Sequence, residues 1–367
     1  MDHSYFMDTA KKIRLLFISR AYPPVTGGIE NQNYELSIWL SKIAEVKTIA
    51  NTRGKKFLPI FLPYAIIKTL FLLRKYDTLL LGDGVLGVVG WIMKRFYQKP
   101  VICVTHGLDL TFKNKFYQKF WLGVFLKKMD KLIAVGNETI RVGVERGLDA
   151  QKFVFIPNGV DTEKFIANYS RTDLERMLDE KIAHKKIILT TGRLAVHKGI
   201  DWFCKEVVPK LADNILYLIA GDGEKKKILQ AIIIAKKLEN KVKLLGRVSD
   251  TDLKILYNTA DLYVKPNIKV PGTMEGFGLV VIEAASCKLT VIAANLEGLK
   301  DAIRDGESGF LVESENAESY IEKITTLLAD DAYRKEFGEK ARTYVIENYS
   351  WGKISQKYLE EIKKTLC

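Results

Sequence analysis

Two carboxylates eight residues apart, Glu275 and Glu283, bracket a turn made of Gly276, Phe277 and Gly278. The two glycines let the backbone approach a ligand closely. An apolar run of helical length follows, so the turn is predicted at a helix N-terminus, where free backbone N–H groups and the helix dipole attract phosphate. One carboxylate can then face a sugar while the other faces a ribose. This combination suits a nucleotide-sugar better than a bare phosphate.

A second loop carries two cations between glycines. Arg193 and Lys198 lie in the loop 192–199, which follows the apolar run 187–191. Arginine presents a planar fork to two phosphate oxygens, and lysine adds a compact charge. Cations held in place stabilise a departing diphosphate without the cost of reorganisation. We therefore predict that Arg193 and Lys198 bind a diphosphate and act in catalysis.

The first half of the chain offers a glycine pair and a histidine. Gly28 stands in a Gly-Gly-Ile-Glu run just before a predicted helix, where a backbone N–H and the helix N-terminus can both meet a phosphate. His106 follows the apolar run 101–105 and precedes Gly107, at a strand end where a ligand would sit. We expect both residues to face the ligand. Asn137 is a further candidate on the donor or the acceptor side.

Apolar runs alternate with helical segments along both halves of the chain. Such alternation predicts parallel sheets covered by helices on both faces. The pattern restarts after a polar stretch at 161–186, so we predict an N-terminal domain at 1–165, a C-terminal domain at 166–345 and a final helix at 346–367. Open parallel sheets bind ligands at the carboxyl ends of their strands. The predicted fold class is α/β, with two facing, doubly wound Rossmann-like domains and a cleft between them.

Taken together, these motifs resemble those of the family 4 retaining glycosyltransferases. The Glu-x7-Glu run with its Gly-Phe-Gly insert, the Gly-Arg…Lys-Gly loop and the Gly-Gly-Ile-Glu loop all match, and the likeness spans most of the chain. The sequence departs from the family at Lys288-Leu289, where a glycine usually precedes the strand. The resemblance implies the GT-B fold, in which the last helix commonly crosses back to the first domain.

The resemblance also implies a role for each site residue. His106 would contact a hydroxyl of the donor sugar, Glu275 would hold other sugar hydroxyls, Glu283 would take the ribose, and the backbone near Val248 would meet the base. The catalytic residues would be His106, Arg193, Lys198 and Glu275. The donor-binding residues would be Gly28, Arg193, Lys198, Val248, Glu275, Gly276, Phe277, Gly278 and Glu283. The family retains anomeric configuration, which implies front-face attack with the departing phosphate taking the acceptor's proton.

The composition of the chain limits the kinds of partner that we expect it to bind. The chain has 367 residues and a net charge of +13, which suggests an anionic partner. No zinc-finger spacing or RNA-binding signature accompanies the charge, so nucleic acid is not expected. Four well-separated cysteines predict a reduced, cytosolic chain, and the polar residues 1–10 are not typical of a signal peptide. No Asp-x-Asp run lies near a predicted strand end, so we expect neither a metal nor a cofactor.

Two segments of the first half suggest a membrane surface. Over 112–128 aromatic residues alternate with lysines, as in a helix that lies in a membrane interface. The run 57–73 contains Pro59 and Pro63 and is predicted to fall short of a membrane span, leaving a buried or interfacial helix at 62–75. We expect a cytoplasmic protein, peripheral on the inner face of the cytoplasmic membrane. The alternative is that 112–128 is an ordinary helix covering the sheet, with its aromatic residues in the core.

These observations predict a metal-independent, retaining glycosyltransferase. It would move a hexose or N-acetylhexosamine from a UDP- or GDP-sugar to a glycan or a polyprenyl- or lipid-linked acceptor of the cell envelope. A non-catalytic nucleotide-sugar binder, a sugar phosphorylase and an epimerase of the same fold stay open as alternatives. A dinucleotide oxidoreductase is not expected, because Gly221-Asp222-Gly223 lacks the third glycine of that motif. A glycoside hydrolase would leave the cationic loop without a purpose.

Overall fold

The computed structural model describes residues 12–25 and 27–367, so residues 1–11, with the polar segment 1–10, and Thr26 of the glycine loop lie outside it. Within this part, each half of the chain forms a six-stranded parallel sheet packed with helices, which confirms the α/β fold with two doubly wound units. The strands of the first sheet are β1 (Arg14–Ser19), β2 (Glu45–Ala50), β3 (Thr78–Leu81), β4 (Val101–Thr105), β5 (Lys131–Ala134) and β6 (Phe153–Phe155). Those of the second sheet are β7 (Lys186–Thr191), β8 (Ile215–Ala220), β9 (Val242–Gly246), β10 (Leu262–Lys265), β11 (Thr290–Ala294) and β12 (Phe310–Val312).

The strand order reverses once in each sheet. The first sheet has the order β2-β1-β3-β4-β5-β6, and the second has β12-β11-β10-β7-β8-β9. The chain therefore leaves β1 on one side and returns to β3 on the other, and it does the same at β7 and β10. Ligands of open parallel sheets bind outside the carboxyl ends of the strands at such a switch point. The loops after β1, β3, β7 and β10 are thus placed to hold a ligand.

Fifteen α-helices lie among these strands in the described part of the chain. They are α1 (Gly28–Ile43), α2 (Leu58–Leu72), α3 (Gly87–Phe96), α4 (Leu108–Thr111), α5 (Lys115–Tyr117), α6 (Asn137–Glu145), α7 (Arg171–Leu178), α8 (Ile200–Glu206), α9 (Lys226–Ala235), α10 (Asp250–Thr259), α11 (Leu279–Ser286), α12 (Leu299–Ala302), α13 (Ala317–Ala329), α14 (Asp331–Tyr349) and α15 (Trp351–Leu366). Ser249 caps α10 as its sequence indicates, because its hydroxyl accepts the Asp252 N–H at 3.1 Å.

Helix α2 is longer than predicted. Short 3₁₀ turns at Lys55–Phe57 and Leu73–Lys75 extend it, so one continuous helical segment runs over Lys55–Lys75. Pro59 lies in the first turn, where a proline removes no helical hydrogen bond, so it does not end the helix. In the described part of the chain, this is the helix that is long and apolar enough to cross a membrane. Of its most apolar stretch, 22% is buried inside the protein. The prediction that this run is too short to span was therefore wrong on length.

The segment 112–128 is helical, but its winding is irregular. After α5 it forms a π-helical stretch at Gln118–Phe125 and a 3₁₀ turn at Leu126–Lys128. Leu122 and Leu126 are buried, whereas Phe116 is exposed. The helix thus covers the sheet with one side and presents aromatic rings to the outside with the other.

The two units share a core. One cluster of buried residues runs from strands of the first sheet through to helices α11, α14 and α15. Helix α15 lies against α1 of the first unit, and its Glu361 Oε1 is 3.4 Å from Lys131 Nζ. The Tyr349 carbonyl, at the end of α14, accepts from the Val160 N–H of the first unit at 2.8 Å. These contacts hold the carboxyl ends of the two sheets face to face.

Candidate functional site

The candidate site lies at the switch point of the second sheet. The loop after β7 and the loop after β10 touch there, because a Cβ added to Gly199 would stand 2.0 Å from the Pro266 carbonyl oxygen. Gly199 also has φ +63, a conformation that favours glycine. No larger residue fits at this position without moving one of the two loops. The glycine therefore brings the cationic loop onto the segment that leads to Glu275.

An ion pair forms the centre of the site. Lys198 Nζ donates to Glu275 Oε2, and Asn267 Nδ2 donates to the same oxygen at 2.9 Å. The side chains of Lys198 and Glu275 are each 13% exposed. Burial by itself would raise the pKa of Glu275, but the charges of Lys198 and then Lys265 outweigh it and lower that pKa to about 2. The carboxylate is therefore ionised at neutral pH and accepts hydrogen bonds.

The backbone around Glu275 is anchored on both sides. Glu275 N–H donates to Glu297 Oε2 at 2.7 Å, and its carbonyl accepts from Gly298 N–H at 3.1 Å. Gly278 has φ +85 and caps the N-terminus of α11, as the sequence predicts. Phe277 is 2% exposed and packs against the Tyr349 ring, so its side chain belongs to the core and fixes the turn.

The same turn touches the first unit at His106. A Cβ on Gly276 would stand 2.7 Å from the His106 carbonyl oxygen, and one on Gly107 would stand 1.9 Å from Met274 Cε. His106 is buried, with its Nε2 3.0 Å from the Gly82 carbonyl oxygen. Its backbone N–H donates to Asp109 Oδ1 at 3.0 Å. The structure thus brings His106 and the Glu275 turn together from opposite sheets.

A second contact between the units lies beside this one. Asn137 donates from its backbone N–H and from Nδ2 to the two carboxylate oxygens of Asp301, at 2.8 and 2.7 Å. Asp301 belongs to α12, just after the Gly298 that anchors Glu275. Asn137 therefore connects the two units next to the site.

Arg193 and His197 flank Lys198 in the cationic loop. Arg193 is exposed, and within residues 12–25 and 27–367 no carboxylate forms an ion pair with it. Burial, followed by the charge of Lys198, lowers the pKa of His197 to about 4, so that ring is neutral at pH 7. The loop thus presents an unpaired guanidinium towards solvent and a paired ammonium below it.

Three of the predicted donor residues lie outside the ion-pair network. Glu283 accepts a hydrogen bond from Tyr257 at 3.1 Å and lines a cavity of about 20 Å³ next to α1. Burial raises the pKa of Glu283. Val248 is half-buried beyond the end of β9. A Cβ on Gly28 would meet no atom within 4 Å, so the space in front of that helix terminus is open.

A cleft of about 340 Å³ adjoins the Glu275 turn at the boundary between the units. The charged residues that line it are mostly basic: Lys113, Arg141, Arg146 and Lys269, with the acids Glu138 and Glu297. Arg141 is paired with Glu138 and Glu145. This cleft could not be predicted from the sequence, because its residues are scattered in the chain and meet only when the units face each other.

Lys265 was also missed. It is the last residue of β10 and is 1% exposed, which is unusual for a lysine. A lysine that ends an apolar strand just before Pro266 was the signal that could have singled it out.

Metal ligands do not cluster in the described part of the chain. Residues 12–25 and 27–367 contain no group of three or more His, Cys, Asp or Glu side chains that could hold a metal ion. Cys103, Cys204 and Cys287 are buried free thiols, and Cys367 is exposed.

Comparisons with known proteins agree with the sequence motifs. The family model described as glycosyl transferases group 1 matches residues 175–344, and that of glycosyltransferase family 4 matches 26–164. The Staphylococcus aureus capsular polysaccharide biosynthesis glycosyltransferase CapM is 24% identical, over 98% of this chain and 99% of its own. The Escherichia coli UDP-Gal:alpha-D-GlcNAc-diphosphoundecaprenol alpha-1,3-galactosyltransferase is 25% identical, over 76% of this chain and 72% of its own. The crystal structure of Anabaena HepE in complex with UDP-glucose has the same fold, with a TM-score of 0.77 and 19% identity over 96% of this chain and 100% of that one.

Proposed function

The chain belongs to the group 1, family 4 glycosyltransferases and has their GT-B fold, and on this premise we propose that it is a retaining, metal-independent transferase acting on a nucleotide-sugar. The donor is a UDP- or GDP-activated hexose or N-acetylhexosamine, and the acceptor is a glycan or lipid-linked glycan of the cell envelope. One observation carries the proposal. The ion pair of Lys198 and Glu275 lies at the switch point of the second sheet, against the turn that touches His106.

The chemistry follows from where the charges lie. Cleavage of the bond between the anomeric carbon and the diphosphate oxygen leaves negative charge on the diphosphate and positive charge on the sugar ring. Arg193 and Lys198 take the diphosphate, since both are cations held on one short loop. Glu275 accepts hydrogen bonds from sugar hydroxyls, and His106 borders the sugar from the other unit. The acceptor hydroxyl attacks from the side of the leaving group, and its proton passes to the departing phosphate.

The donor assignment is supported by the relatives. HepE is described with UDP-glucose, and the Escherichia coli relative is named for UDP-Gal. Gly28 and Glu283 would bind the phosphates and the ribose of such a donor, while the backbone near Val248 would meet the base. The sugar and the base stay a choice between UDP- and GDP-linked hexoses.

The acceptor assignment is supported by the cleft next to Glu275. Among its basic residues, Lys113, Arg146 and Lys269 form no ion pair with any carboxylate of the described residues. They would attract an acceptor that carries phosphate. The Escherichia coli relative is named for a diphosphoundecaprenol acceptor, and CapM for capsular polysaccharide. A lipid-linked diphosphate glycan satisfies both the charge of the cleft and these names.

Association with the inner face of the cytoplasmic membrane is part of the proposal. Helix α2 exposes Ile60, Ile67 and Phe71, and Phe116 is exposed on the neighbouring irregular helix. Lysines lie among these residues, and each basic residue near an anionic leaflet contributes about 1 kcal/mol. We expect the protein to sediment with phosphatidylglycerol vesicles but not with phosphatidylcholine vesicles, and to be released by high salt.

Phe71→Ser and Phe116→Ser should each reduce this sedimentation. Ile234→Ser is the matched control, because Ile234 is equally exposed on α9 of the second unit. Sedimentation that is unchanged in both phenylalanine variants, or equally reduced in the control, would contradict a membrane surface on the first unit.

The test of the function is a panel of UDP- and GDP-sugars. A donor should raise the melting temperature, and release of its nucleoside diphosphate should require membrane extract as acceptor. Binding without release would favour a non-catalytic binder. Sugar release that depends on inorganic phosphate would favour a phosphorylase, and a changed sugar with no release would favour an epimerase. If no member of the panel binds, the proposal fails.

A further inference from the structure

Lys265 is a buried cation directly beneath the cationic loop. It ends β10, on one side of the switch point, and its Nζ lies 3.7 Å from the point where a Cβ on Gly192 would stand. Lys265 comes directly after the buried residues Tyr263 and Val264, and it is itself 1% exposed. A lysine taken out of water is costly unless a charge compensates it. Its position calls for an anionic partner at the strand ends.

Lys265 forms no ion pair with any carboxylate of the described residues. Lys198 faces it from the 3₁₀ turn Val196–Lys198, Glu275 from the loop before α11, and Glu283 from within α11. Glu275 already pairs with Lys198, and Glu283 accepts from Tyr257.

The surroundings of Lys265 also determine its ionisation. Burial first, and then the charge of Lys198, lowers the pKa of Lys265 to about 7. His197, the other basic group of the turn, stays neutral at this pH because its pKa is lowered to about 4. The pKa of Lys265 therefore lies close to neutral pH, whereas that of His197 lies well below it.

We propose that Lys265 is a positioning residue of the donor site that takes up a proton when the diphosphate of a nucleotide-sugar binds. When Lys198 turns to the diphosphate, Glu275 loses its partner, and the ammonium of Lys265 replaces it. Glu275 then remains an anion and can hold the sugar hydroxyls. The step adds one proton from solvent to the Lys265 amine and breaks no other bond. The inference rests on the proposed function, since it needs a nucleotide-sugar donor.

Calorimetry on the full chain tests this with UDP-glucose and GDP-mannose. Each titration is run in HEPES and in Tris, whose ionisation enthalpies differ, so the difference in heat counts the protons bound. The diphosphate of a nucleotide-sugar has no group that titrates near neutrality, so the count reports on the protein. With a pKa of about 7 in the free site, we expect uptake of roughly half a proton at pH 7 and less at pH 6. Because protons are taken up, affinity should fall as the pH rises from 6 to 8.

Lys265→Met removes the ammonium and keeps the length of the side chain. We expect proton uptake to vanish, affinity for the donor at pH 7 to fall about tenfold, and affinity for the nucleoside monophosphate to stay unchanged. Lys205→Met, at an exposed lysine on α8, is the control and should behave as the unaltered chain.

The possible outcomes distinguish the role of Lys265 from the glycosyltransferase assignment. Donor binding without proton uptake in the unaltered chain overturns the role of Lys265 and leaves the glycosyltransferase assignment standing. Uptake that persists in Lys265→Met also overturns it. If neither nucleotide-sugar binds, the donor assignment fails and this inference fails with it. Should Lys265→Met not fold, the measurement on the unaltered chain decides.

Discussion

The two switch points of the molecule hold charged residues in opposite ways. In the first sheet, Arg20 follows β1 and Asp83 follows β3, and Arg20 Nε lies 2.7 Å from Asp83 Oδ2. The Asp83 side chain is fully buried, and that of Arg20 is 15% exposed. In the second sheet, Glu275 pairs with Lys198, and the charge of the buried Lys265 also acts on it. The first point thus holds a buried ion pair, whereas the second holds, beside its ion pair, a buried lysine that pairs with no carboxylate of the described residues.

The two switch points therefore have different roles, although the topologies of the two sheets are similar. At the first switch point, Asp109 accepts from the backbone N–H groups of His106 and Gly84, at 3.0 and 2.9 Å, so the acids there satisfy the protein's own loops. At the second, Arg193 and Lys265 form no ion pair with any carboxylate of the described residues. Cations of this kind suit a ligand that brings its own negative charge. We infer that the first unit shapes the site and the second grips the diphosphate.

The largest expected effect comes from Glu275→Gln. It should lower turnover about 1,000-fold, as loss of a buried group that acts on the transition state does elsewhere. It also leaves Lys198 and Lys265 facing each other, so the melting temperature should fall. Lys198→Met should lower turnover similarly but spare the melting temperature, because Lys265 and Asn267 still partner Glu275. Steady-state kinetics and thermal melts on both variants check this.

The pH dependence of stability tests the pairing of Glu275 with Lys198 in a second way. The pKa of Glu275 is lowered in the folded protein to about 2, so its stabilising contribution is complete above its unfolded pKa of about 4.3 and is lost as the pH falls towards 2. The stability difference between the unaltered chain and Glu275→Gln should therefore shrink between pH 5 and pH 2. Glu322→Gln, at an exposed position on α13, should show no such trend. A constant difference over this range would refute the buried pairing.

Asp83→Asn probes the first switch point. Removing this carboxylate leaves the largely buried Arg20 guanidinium without its ion-pair partner. We therefore expect a loss of about 3 kcal/mol in the free energy of unfolding. Donor affinity should not change, since the pair serves the first unit and not the diphosphate. Denaturant unfolding and donor titration of the same sample measure both quantities. A large loss of donor affinity without a loss of stability would reverse the roles given to the two switch points.

Arg193→Ala should have the smallest effect of the series. Arg193 is exposed, so its attraction for a diphosphate is partly screened by solvent, and we expect donor affinity to fall about tenfold at low salt. The melting temperature without donor should be unchanged. Titrations at rising salt should bring the variant and the unaltered chain together, whereas a difference that ignores salt would mean that Arg193 acts through packing.

Local sequence patterns predicted most of the fold, and the elements that were missed share a cause. Strand β4 was predicted with its observed bounds, and β7 to within one residue, because both are buried apolar runs. Strands β2 and β6 were missed because they lie at the edges of the first sheet, where β2 is largely exposed or half-buried and lacks an apolar run. Helix α2 was predicted too short because its prolines were taken as breaks. The predicted domain boundaries stay a prediction.

Residue types alone identified the parts of the site: glycines where backbones must approach closely, a guanidinium and an ammonium on one loop, and a carboxylate before a helix. These follow from the chemistry of each side chain and from spacing within a few residues, which a linear sequence records. The pairing of Lys198 with Glu275, the burial of Lys265 beneath Gly192 and the contact of His106 with Gly276 follow instead from the order of strands in two sheets and from how those sheets face each other. Distances between residues far apart in the chain depend on that packing, and so does the desolvation that shifts their charges.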